Sequence, residues 1–522
     1  MIDSTRAFGK LVAAFNQNDW ARVQQRSAQL LIVAPDDARV RFMAGVACLQ
    51  MQQMPQALEH LLKATHIEPR RADYVAQYAS ALALARRLRE ARLVADRAMT
   101  LSPDNAHTLG TLGAVYQQAN ALMQSANAFR RAAALMPEHA ASHLNLAYAL
   151  NALGDIEGAE QALEAGIRLE PHNWYAHLLL AQLRTQIPGH NHVERISGLL
   201  QSHGHAPGAA LLLNMALGKE YEDLADYPRA FDHYARGKAA GRSMRPYAFE
   251  RDEAIFEALL RAFPASEAEP TAAGDPSREP IFIIGMPRSG IDLLNRLLAG
   301  HPDVRSAGEL QHFSSLLQRA SGCRTALLAE ADIAARSRHI DWRQLGADYL
   351  ASARPGGDET PHFIDRLPHN FFYVGFIARA LPNAKILCLR RDPLDTCIGN
   401  FRHLFRQESG LYDYAFDLDD ISRYIIRFER LMAHWNTLFP GRIHTVRYES
   451  LVEAPEATMR ELLAFCGLPW SEACLTREGG AAPANASTRM PAHHEPIGHW
   501  RHYEAQLRDV RWRLVAAGIG AT

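Results

Sequence analysis

The first half of the chain repeats one hydrophobic pattern with a fixed period. Apolar, helix-like segments end at prolines spaced 34 residues apart, and a constant period of this length is typical of a solenoid of helical hairpins. Small residues recur at three places in each unit, which lets the two helices of a hairpin approach closely, and proline ends the second helix. The prolines are Pro35, Pro69, Pro103, Pro137 and Pro171, and the small residues of the units starting at 38, 72, 106 and 140 are Gly45, Ala79, Gly113 and Ala147, then Ala57, Ala91, Ser125 and Ala159, then Ala64, Ala98, Ala132 and Gly166.

This pattern predicts an all-α array over residues 1–240, with regular repeats over 4–173 and divergent hairpins after them. The register is lost after 174–183, and the segment 211–241 predicts one more divergent hairpin. Residues 241–279 are expected to be a connecting helix and a linker, because the segment from 263 to 280 is rich in Pro, Ala, Gly, Ser and charge without periodicity.

From residue 280 to 522 the pattern changes to alternating strands and helices. The run IFII leads into the turn GMPRSG and the amphipathic helix IDLLNRLLAG, and later β-like runs are HFID, KILCL and IHTVRY. Helical segments separate these runs, an alternation that predicts an α/β domain with a mostly parallel sheet.

Composition and charge exclude several classes of protein. The 522 residues are 48% hydrophobic and carry a formal net charge of −1, so the basic footprint of nucleic-acid binding is absent from the sequence. No apolar stretch is long enough for a membrane span and the N-terminal segment lacks a signal-peptide pattern, so we expect a cytoplasmic protein. The six cysteines lie far apart without CxxC spacing, so we expect reduced packing residues and no metal site.

The turn GMPRSG has the form of an anion-binding loop. Backbone N–H groups at the start of a helix, together with the helix dipole, favour a bound anion. A Walker A loop would need Lys and then Ser or Thr after the second glycine, where this chain has Ile291 and Asp292. A kinase or NTPase is therefore excluded, and Asp292 places a carboxylate where an anion is expected.

The repeats resemble the tetratricopeptide repeat. The ordered motifs FIIGMPRSG, HPDVRSAGEL, FIDRLPHNF, LCLRRDPLDTCIGNF, TVRYESLV, LLAFCGLPW and IGHWRHYEAQL resemble the sulfotransferase domain of bacterial proteins that join such repeats to a sulfotransferase, and more distantly the tyrosylprotein sulfotransferases. The resemblance implies a P-loop-like α/β domain that transfers a sulfuryl group from 3′-phosphoadenosine 5′-phosphosulfate to a hydroxyl, with peptide tyrosine among the candidate acceptors. It also implies a protein or peptide partner on the repeat array.

The resemblance assigns roles to individual residues. Glu309 matches the general base, Arg366 stands at the family's catalytic lysine, and Arg288 is a third catalytic candidate that stabilises the donor. The nucleotide-binding positions that the resemblance implies are Gly285, Pro287, Arg288, Ser289, Gly290, Ile291, Asp292, Arg391, Gly399, Tyr448, Arg489 and His499. We expect Glu309 to lie in one cleft with Arg288 and Arg366.

Five of these positions depart from the family pattern. They are Ile291, Asp292, Arg366, Gly399 and His499, whereas the packing parts of the same motifs persist. Two hypotheses follow: a working transferase, or a catalytically impaired or inactive scaffold of sulfotransferase fold whose repeats bind a protein partner. Tyrosine, a saccharide and a small metabolite all remain open as acceptors. We also expect Asp292 either to turn away, for example towards Arg296, or to weaken nucleotide binding.

Overall fold

A computed structural model describes residues 4–264, 274–323, 326, 328, 332–354, 360–405, 410–475 and 496–520. The chain divides into two compact units, Met1–Ala176 and His177–Thr522.

The first unit is built from helices in which each neighbour along the chain packs on the last. Aspartate or asparagine side chains cap several of the helices by accepting backbone N–H groups, as Asp37 does for Val40 and Asn105 for Thr108. Each of the five periodic prolines lies in the turn after an even-numbered helix, which confirms the predicted repeat array in this unit. The helices are α1 (Ser4–Asn16), α2 (Trp20–Val33), α3 (Ala38–Gln50), α4 (Met54–Ile67), α5 (Ala72–Leu84), α6 (Leu88–Thr100), α7 (Ala106–Gln118), α8 (Leu122–Leu135), α9 (Ala140–Leu153) and α10 (Ile156–Leu169).

The helices that follow belong to the second unit, which differs from the predicted end of the array at residue 240. The division falls inside α11 (Trp174–Gln182). Residue Lys238 is fully buried and donates to the carbonyls of His403 at 2.7 Å and Ala415 at 2.8 Å. These contacts join the helices to the α/β part of the unit. The helices are α12 (Val193–His203), α13 (Pro207–Asp223), α14 (Tyr227–Ser243) and α15 (Phe249–Ala262).

The predicted linker is anchored at the parts that the structure describes. Residues 265–273 lie outside the described residues. After them, Asp275 N–H donates to Ala380 O at 2.8 Å, and Asn383 Nδ2 donates to Pro276 O at 2.8 Å. The described end of this segment is therefore bound to the second unit rather than a free connector.

The core of the second unit is a five-stranded sheet in which every pairing is parallel, as predicted. The strand order is β2-β3-β1-β4-β5, and the register includes Ile283 opposite Leu387 and Cys388 opposite Thr445. The central strand is buried along its whole length, as expected when helices cover both faces of a parallel sheet. The strands are β1 (Pro280–Gly285), β2 (Val304–Ser306), β3 (His362–Asp365), β4 (Lys385–Arg390) and β5 (Ile443–Arg447).

Helices connect the strands and complete the unit. The α-helices are α16 (Ile291–Leu298), α17 (His312–Ala320), α18 (Ile333–Ser337), α19 (Trp342–Ala353), α20 (Val374–Ala380), α21 (Pro393–Arg402), α22 (Leu418–Leu438), α23 (Tyr448–Glu453), α24 (Pro455–Cys466) and α25 (Arg508–Ala516). Short 3-10 helices are Pro368–Tyr373, Asp413–Phe416, Glu472–Cys474 and His499–Tyr503.

Two further observations concern the chain as described. Among the described helices, none combines the length and the apolar character that crossing a bilayer requires. The six cysteines are free thiols, and five of them are buried.

Candidate functional site

The turn after the central strand has the geometry of an anion-binding loop. Strand β1 ends at Gly285, and α16 begins at Ile291 after a turn in which Arg288 has φ 66° and Gly290 has φ 102°. A Cβ atom at Gly290 would lie 2.2 Å from the ring of Tyr448. Glycine is therefore required where this tyrosine, an expected nucleotide neighbour, packs on the loop.

Two polar side chains donate hydrogen bonds to backbone carbonyls of the loop. Asn400 Nδ2 donates to Pro287 O at 2.7 Å, and Arg391 Nη1 donates to Arg288 O at 3.2 Å. The Ser289 hydroxyl is buried and has no hydrogen bond to the residues that the structure describes. A buried hydroxyl without a partner is costly unless a ligand supplies one.

The carboxylate at the start of α16 is paired across the site. Arg366 Nη1 donates to Asp292 Oδ1 at 2.7 Å and to Glu309 Oε1 at 3.0 Å. The Arg366 side chain is only 4% exposed, whereas that of Asp292 is 62% exposed. Asp292 therefore turns to Arg366 at the end of β3 and not to Arg296, the partner suggested by helical spacing.

Arg288 is a second cation, after Arg366, that interacts with Asp292. Burial, followed by the nearby charges of Arg402 and Arg391, lowers the pKa of Arg288 to about 10, while the Asp292 charge acts in the opposite direction. At neutral pH the guanidinium stays charged. Asp292 thus interacts electrostatically with Arg288 and pairs with Arg366, and Arg366 also contacts Glu309.

Two of the expected nucleotide-binding positions do not direct side chains towards Arg288, Asp292 and Arg366. Ile291 is 6% exposed and packs in the apolar cluster with Ile283 and Leu294, because the spacing of three residues places it on the inner face of α16. The Ile291 side chain is therefore part of the core, and only the backbone of this expected nucleotide-binding position faces the loop. Gly399 lies buried on α21.

Arg391, the expected partner of the 3′-phosphate, lies in a buried network. Its Nη2 is 3.6 Å from Asp395 Oδ2 and donates to Pro496 O at 3.0 Å, and its guanidinium lies 4.8 Å from the ring centre of Tyr448. Burial is the first cause that lowers the pKa of Arg391, and the Asp395 charge opposes it. Asp395 also accepts the N–H groups of Gly498 and Trp500 at 2.7 Å and 2.9 Å.

His499 lies in a different cluster from Glu309 and Arg366. Its Nε2 is 2.9 Å from Glu222 Oε1, and Glu222 also pairs with Arg402 at 2.6 Å. Burial alone would raise the pKa of Glu222, but Arg402 and His499 outweigh it and lower the pKa to about 2. Arg489, another expected nucleotide contact, lies outside the described residues.

The sequence analysis missed two buried carboxylates that contact expected site residues or their neighbours, Asp365 and Glu222. Asp365 is fully buried and accepts the Leu310 N–H at 3.2 Å, next to Glu309. Its place directly before Arg366, at the end of a predicted strand, is a signal that could have identified it. Glu222 had no such signal, because it lies in a segment assigned to the repeats.

The arrangement can neutralise an anion and accept a proton in one place. Cations at Arg288 and Arg366, loop amides and an unsatisfied Ser289 hydroxyl suit an anionic ligand. The carboxylate of Asp292 does not suit one, because a negative charge at the start of α16 repels it. Among the described residues, no group of three or more His, Cys, Asp or Glu side chains is arranged to hold a metal ion.

Comparison with known protein families matches both parts of the chain. Residues 280–472 match the sulfotransferase family, and residues 140–173 match the tetratricopeptide repeat. An uncharacterised protein of Aquifex aeolicus (strain VF5) is 27% identical over 407 residues, which are 76% of this chain and 53% of that protein. The protein-tyrosine sulfotransferase of Drosophila melanogaster is 28% identical over 214 residues, 38% of this chain and 40% of that protein. The chain thus spans about half the length of these curated relatives.

Solved structures of both kinds are also similar to parts of the chain. The sulfotransferase domain from the curacin biosynthetic pathway is 17% identical with a TM-score of 0.29, covering 48% of this chain and 100% of that structure. The tetratricopeptide repeat protein YrrB, described as having an unusual peptide-binding site, is 13% identical with a TM-score of 0.29, covering 40% of this chain and 96% of that structure.

Proposed function

We propose, from the premise that this chain joins a sulfotransferase-family domain to tetratricopeptide repeats, that its second unit transfers a sulfuryl group to a hydroxyl acceptor. The observation that carries the proposal is the contact between Glu309 and Arg366 at 3.0 Å beside the loop that holds Arg288. A proton acceptor and two cations close to one another are what transfer of an anionic group to a hydroxyl requires.

Each residue has a distinct role in this proposal. The Glu309 carboxylate, with its side chain 29% exposed, takes the proton of the acceptor hydroxyl. The Arg366 guanidinium stabilises the negative charge that develops on the leaving oxygen, and Arg288 neutralises the bound anion. Because arginine presents a planar fork rather than a single ammonium, Arg366 orients this charge differently from a lysine.

The donor proposed is 3′-phosphoadenosine 5′-phosphosulfate, which supplies an activated sulfuryl group when bound. The cations Arg288 and Arg391, the Ser289 hydroxyl and the amides at the start of α16 would hold its anionic groups. Tyr448 packs on Gly290 and offers an aromatic face beside the loop.

Transfer of radiolabelled sulfate from this donor to a panel of phenols, tyrosine peptides and saccharides tests the proposal. We expect Glu309→Gln to lower the rate at least a hundredfold, since general-base catalysis typically contributes about 10²–10⁴-fold. The matched control is Glu461→Gln, because the Glu461 side chain is 73% exposed on α24. Equal rates for the Glu309 variant and the unmodified protein would exclude Glu309 as the base.

A second function is favoured by the contact of Asp292 with Arg366. The Asp292 carboxylate is a counter-ion for Arg366, the cation that would otherwise meet the donor. This arrangement fits a scaffold that has lost transfer activity and whose repeats bind a protein or peptide partner. The reverse substitutions Asp292→Thr and Arg366→Lys separate the two functions. For the impaired transferase we expect the double variant to gain transfer activity. A double variant that folds, binds the donor nucleotide and still transfers no sulfate would favour the scaffold.

A further inference from the structure

The residues on either side of Glu309 are hydrogen-bonded to the end of strand β3 and to the residue that follows it. Before Glu309, Gly308 O accepts the Arg366 N–H at 2.9 Å, and after Glu309 the Leu310 N–H donates to Asp365 Oδ1 at 3.2 Å. Gly308 has a φ of 82°, in the left-handed region that favours glycine. The backbone position of Glu309 therefore depends on Asp365 and Arg366.

The Asp365 carboxylate gathers donors from three segments. Oδ1 accepts the N–H of Leu310 and, at 3.1 Å, the N–H of Leu367, while Oδ2 accepts the Tyr349 hydroxyl at 2.8 Å. Both Asp365 and Tyr349 are 0% exposed. One carboxylate thus ties the residue after Glu309 to the residue after Arg366, and α19 supports it from behind.

We propose that Asp365, supported by Tyr349, is the positioning residue that holds the Glu309 carboxylate against the Arg366 guanidinium. Its importance for catalysis rests on the sulfuryl transfer proposed above. The positioning itself does not, because it concerns contacts within this chain. Three donors meeting one buried acceptor define a single arrangement of the two segments, since any displacement would leave a buried N–H or O–H without a partner.

Two substitutions at Asp365 separate positioning from folding. Asp365→Asn retains an oxygen that can accept both N–H groups, whereas Asp365→Leu removes every acceptor and is the larger side chain. For the leucine variant of the full chain we expect amide exchange at Leu310 and Leu367 to be at least tenfold faster, while β1 and β4 keep their protection. Sulfuryl transfer should fall at least tenfold, and the asparagine variant should restore both quantities to within about threefold of the unmodified protein.

Tyr349→Phe is the milder variant, which keeps the test decisive even where the leucine variant does not fold. We expect it to accelerate exchange at Leu310 at least threefold. The matched control is Tyr247→Phe, because Tyr247 makes the same kind of bond, donating to Asp252 Oδ2 at 2.8 Å, on a segment that carries neither Glu309 nor Arg366. This control should leave exchange at Leu310 and the transfer rate unchanged.

The exchange measurement needs neither donor nor acceptor, so it is independent of the proposed function. Absence of transfer in the unmodified protein would count against that function alone. Unchanged exchange at Leu310 in the folded Tyr349 and Asp365 variants would overturn the positioning role, as would an asparagine variant that exchanges as fast as the leucine variant. Faster exchange together with unchanged transfer would equally contradict the catalytic importance of Asp365.

Discussion

At the scale of one residue, the Asp365 carboxylate fixes the position of Glu309 but lowers the free energy of unfolding when it is ionised. Burial raises the pKa of Asp365 to about 6, although the Tyr349 hydroxyl and the N–H groups of Leu367 and Leu310 lower it. Because the ordinary value is 3.8, the folded protein holds this proton more tightly than the unfolded chain. Stability from this group is therefore present below pH 4 and is lost as the pH rises to about 6.

The first prediction concerns the Asp365→Asn variant. Asparagine does not titrate, so this variant does not have to place a charge in the buried site. The rise of the Asp365 pKa from 3.8 to about 6 corresponds to roughly 3 kcal/mol of unfolding free energy. We therefore expect the variant to gain up to about that amount relative to the unmodified protein between pH 4 and pH 7. Urea unfolding at pH 4 and at pH 7 measures the difference. We expect the same dependence of stability on pH for Asp252→Asn, because burial also raises the pKa of Asp252 to about 6. A variant whose relative stability is equal at both pH values would contradict this account.

Asp292 and Arg366 show what a single sequence conceals at this scale. Both positions depart from the family pattern, and in the sequence they are two separate losses. In the structure they form one contact of 2.7 Å, so each substitution provides the partner of the other. Residues 74 positions apart cannot be paired by helical spacing, which is why Arg296 was the partner that the sequence suggested.

At the scale of elements, α13 is joined to α21 by a buried carboxylate. Glu222 accepts from Tyr234 at 2.9 Å and pairs with Arg402 and His499. Its pKa of about 2 in the folded protein lies below the ordinary 4.5. The stability from this depressed pKa is present above pH 4.5 and is lost as the pH falls towards 2.

We therefore predict that Glu222→Gln destabilises the second unit at pH 7. The lowered pKa corresponds to roughly 3 kcal/mol, and removing one partner also leaves Arg402 buried without its carboxylate. The difference in unfolding free energy should narrow below pH 4, which urea unfolding across pH measures. Glu253→Gln on α15 is the control, because the Glu253 side chain is 30% exposed and its pair with Arg427 should contribute less. A Glu222 variant as stable as the unmodified protein at pH 7 would show that α13 and α21 are held by other contacts.

The elements also show how far the sequence predicts the fold. Strands β1, β3, β4 and β5 were predicted to within about a residue at each end. Strands β1 and β4 are nearly continuous apolar runs, whereas β3 and β5 are short β-like segments that also contain polar residues. Strand β2, Val304–Ser306, was missed because three residues with an arginine and a serine carry no hydrophobic period. The anion loop and the closeness of Glu309 to Arg366 were predicted from ordered motifs. The supports of that pair were not predicted. Asp365 stands directly before Arg366, but its hydrogen bonds to Leu310 and Tyr349 join segments far apart in the sequence and have no local pattern.

At the scale of the whole molecule, the boundary between the units is the main difference from the sequence prediction. A helical period alone does not reveal which neighbours a helix packs on, so α13 and α14 were assigned to the repeats. Their polar contacts with the α/β part include Lys238, and burial lowers the pKa of Lys238 to about 7. The second unit therefore needs these helices to satisfy its buried groups.

We predict that a fragment of residues 177–522 folds with the thermal transition of the second unit, whereas a fragment of residues 280–522 does not. The shorter fragment lacks Glu222 and Lys238, so it exposes the buried Arg402 and leaves the carbonyls of His403 and Ala415 without this donor. Circular dichroism melts and gel filtration of both fragments measure the outcome. A shorter fragment that unfolds cooperatively at the temperature of the longer one would contradict the assignment of α13 and α14 to the second unit.

We propose that Asp292 occupies an anion-binding site that the rest of the fold still builds. Calorimetric titration of the full chain with 3′,5′-adenosine bisphosphate tests it, comparing the unmodified protein with Asp292→Thr and with Asp348→Thr as the control for loss of one exposed carboxylate. At ~5 Å and an effective dielectric of ~20, a carboxylate facing a phosphate costs on the order of 3 kcal/mol. We predict weak binding that Asp292→Thr strengthens at least tenfold, with a larger gain at low salt, and no change for the control. Tight binding that Asp292→Thr leaves unchanged, or no binding by any of the three proteins, would contradict the claim.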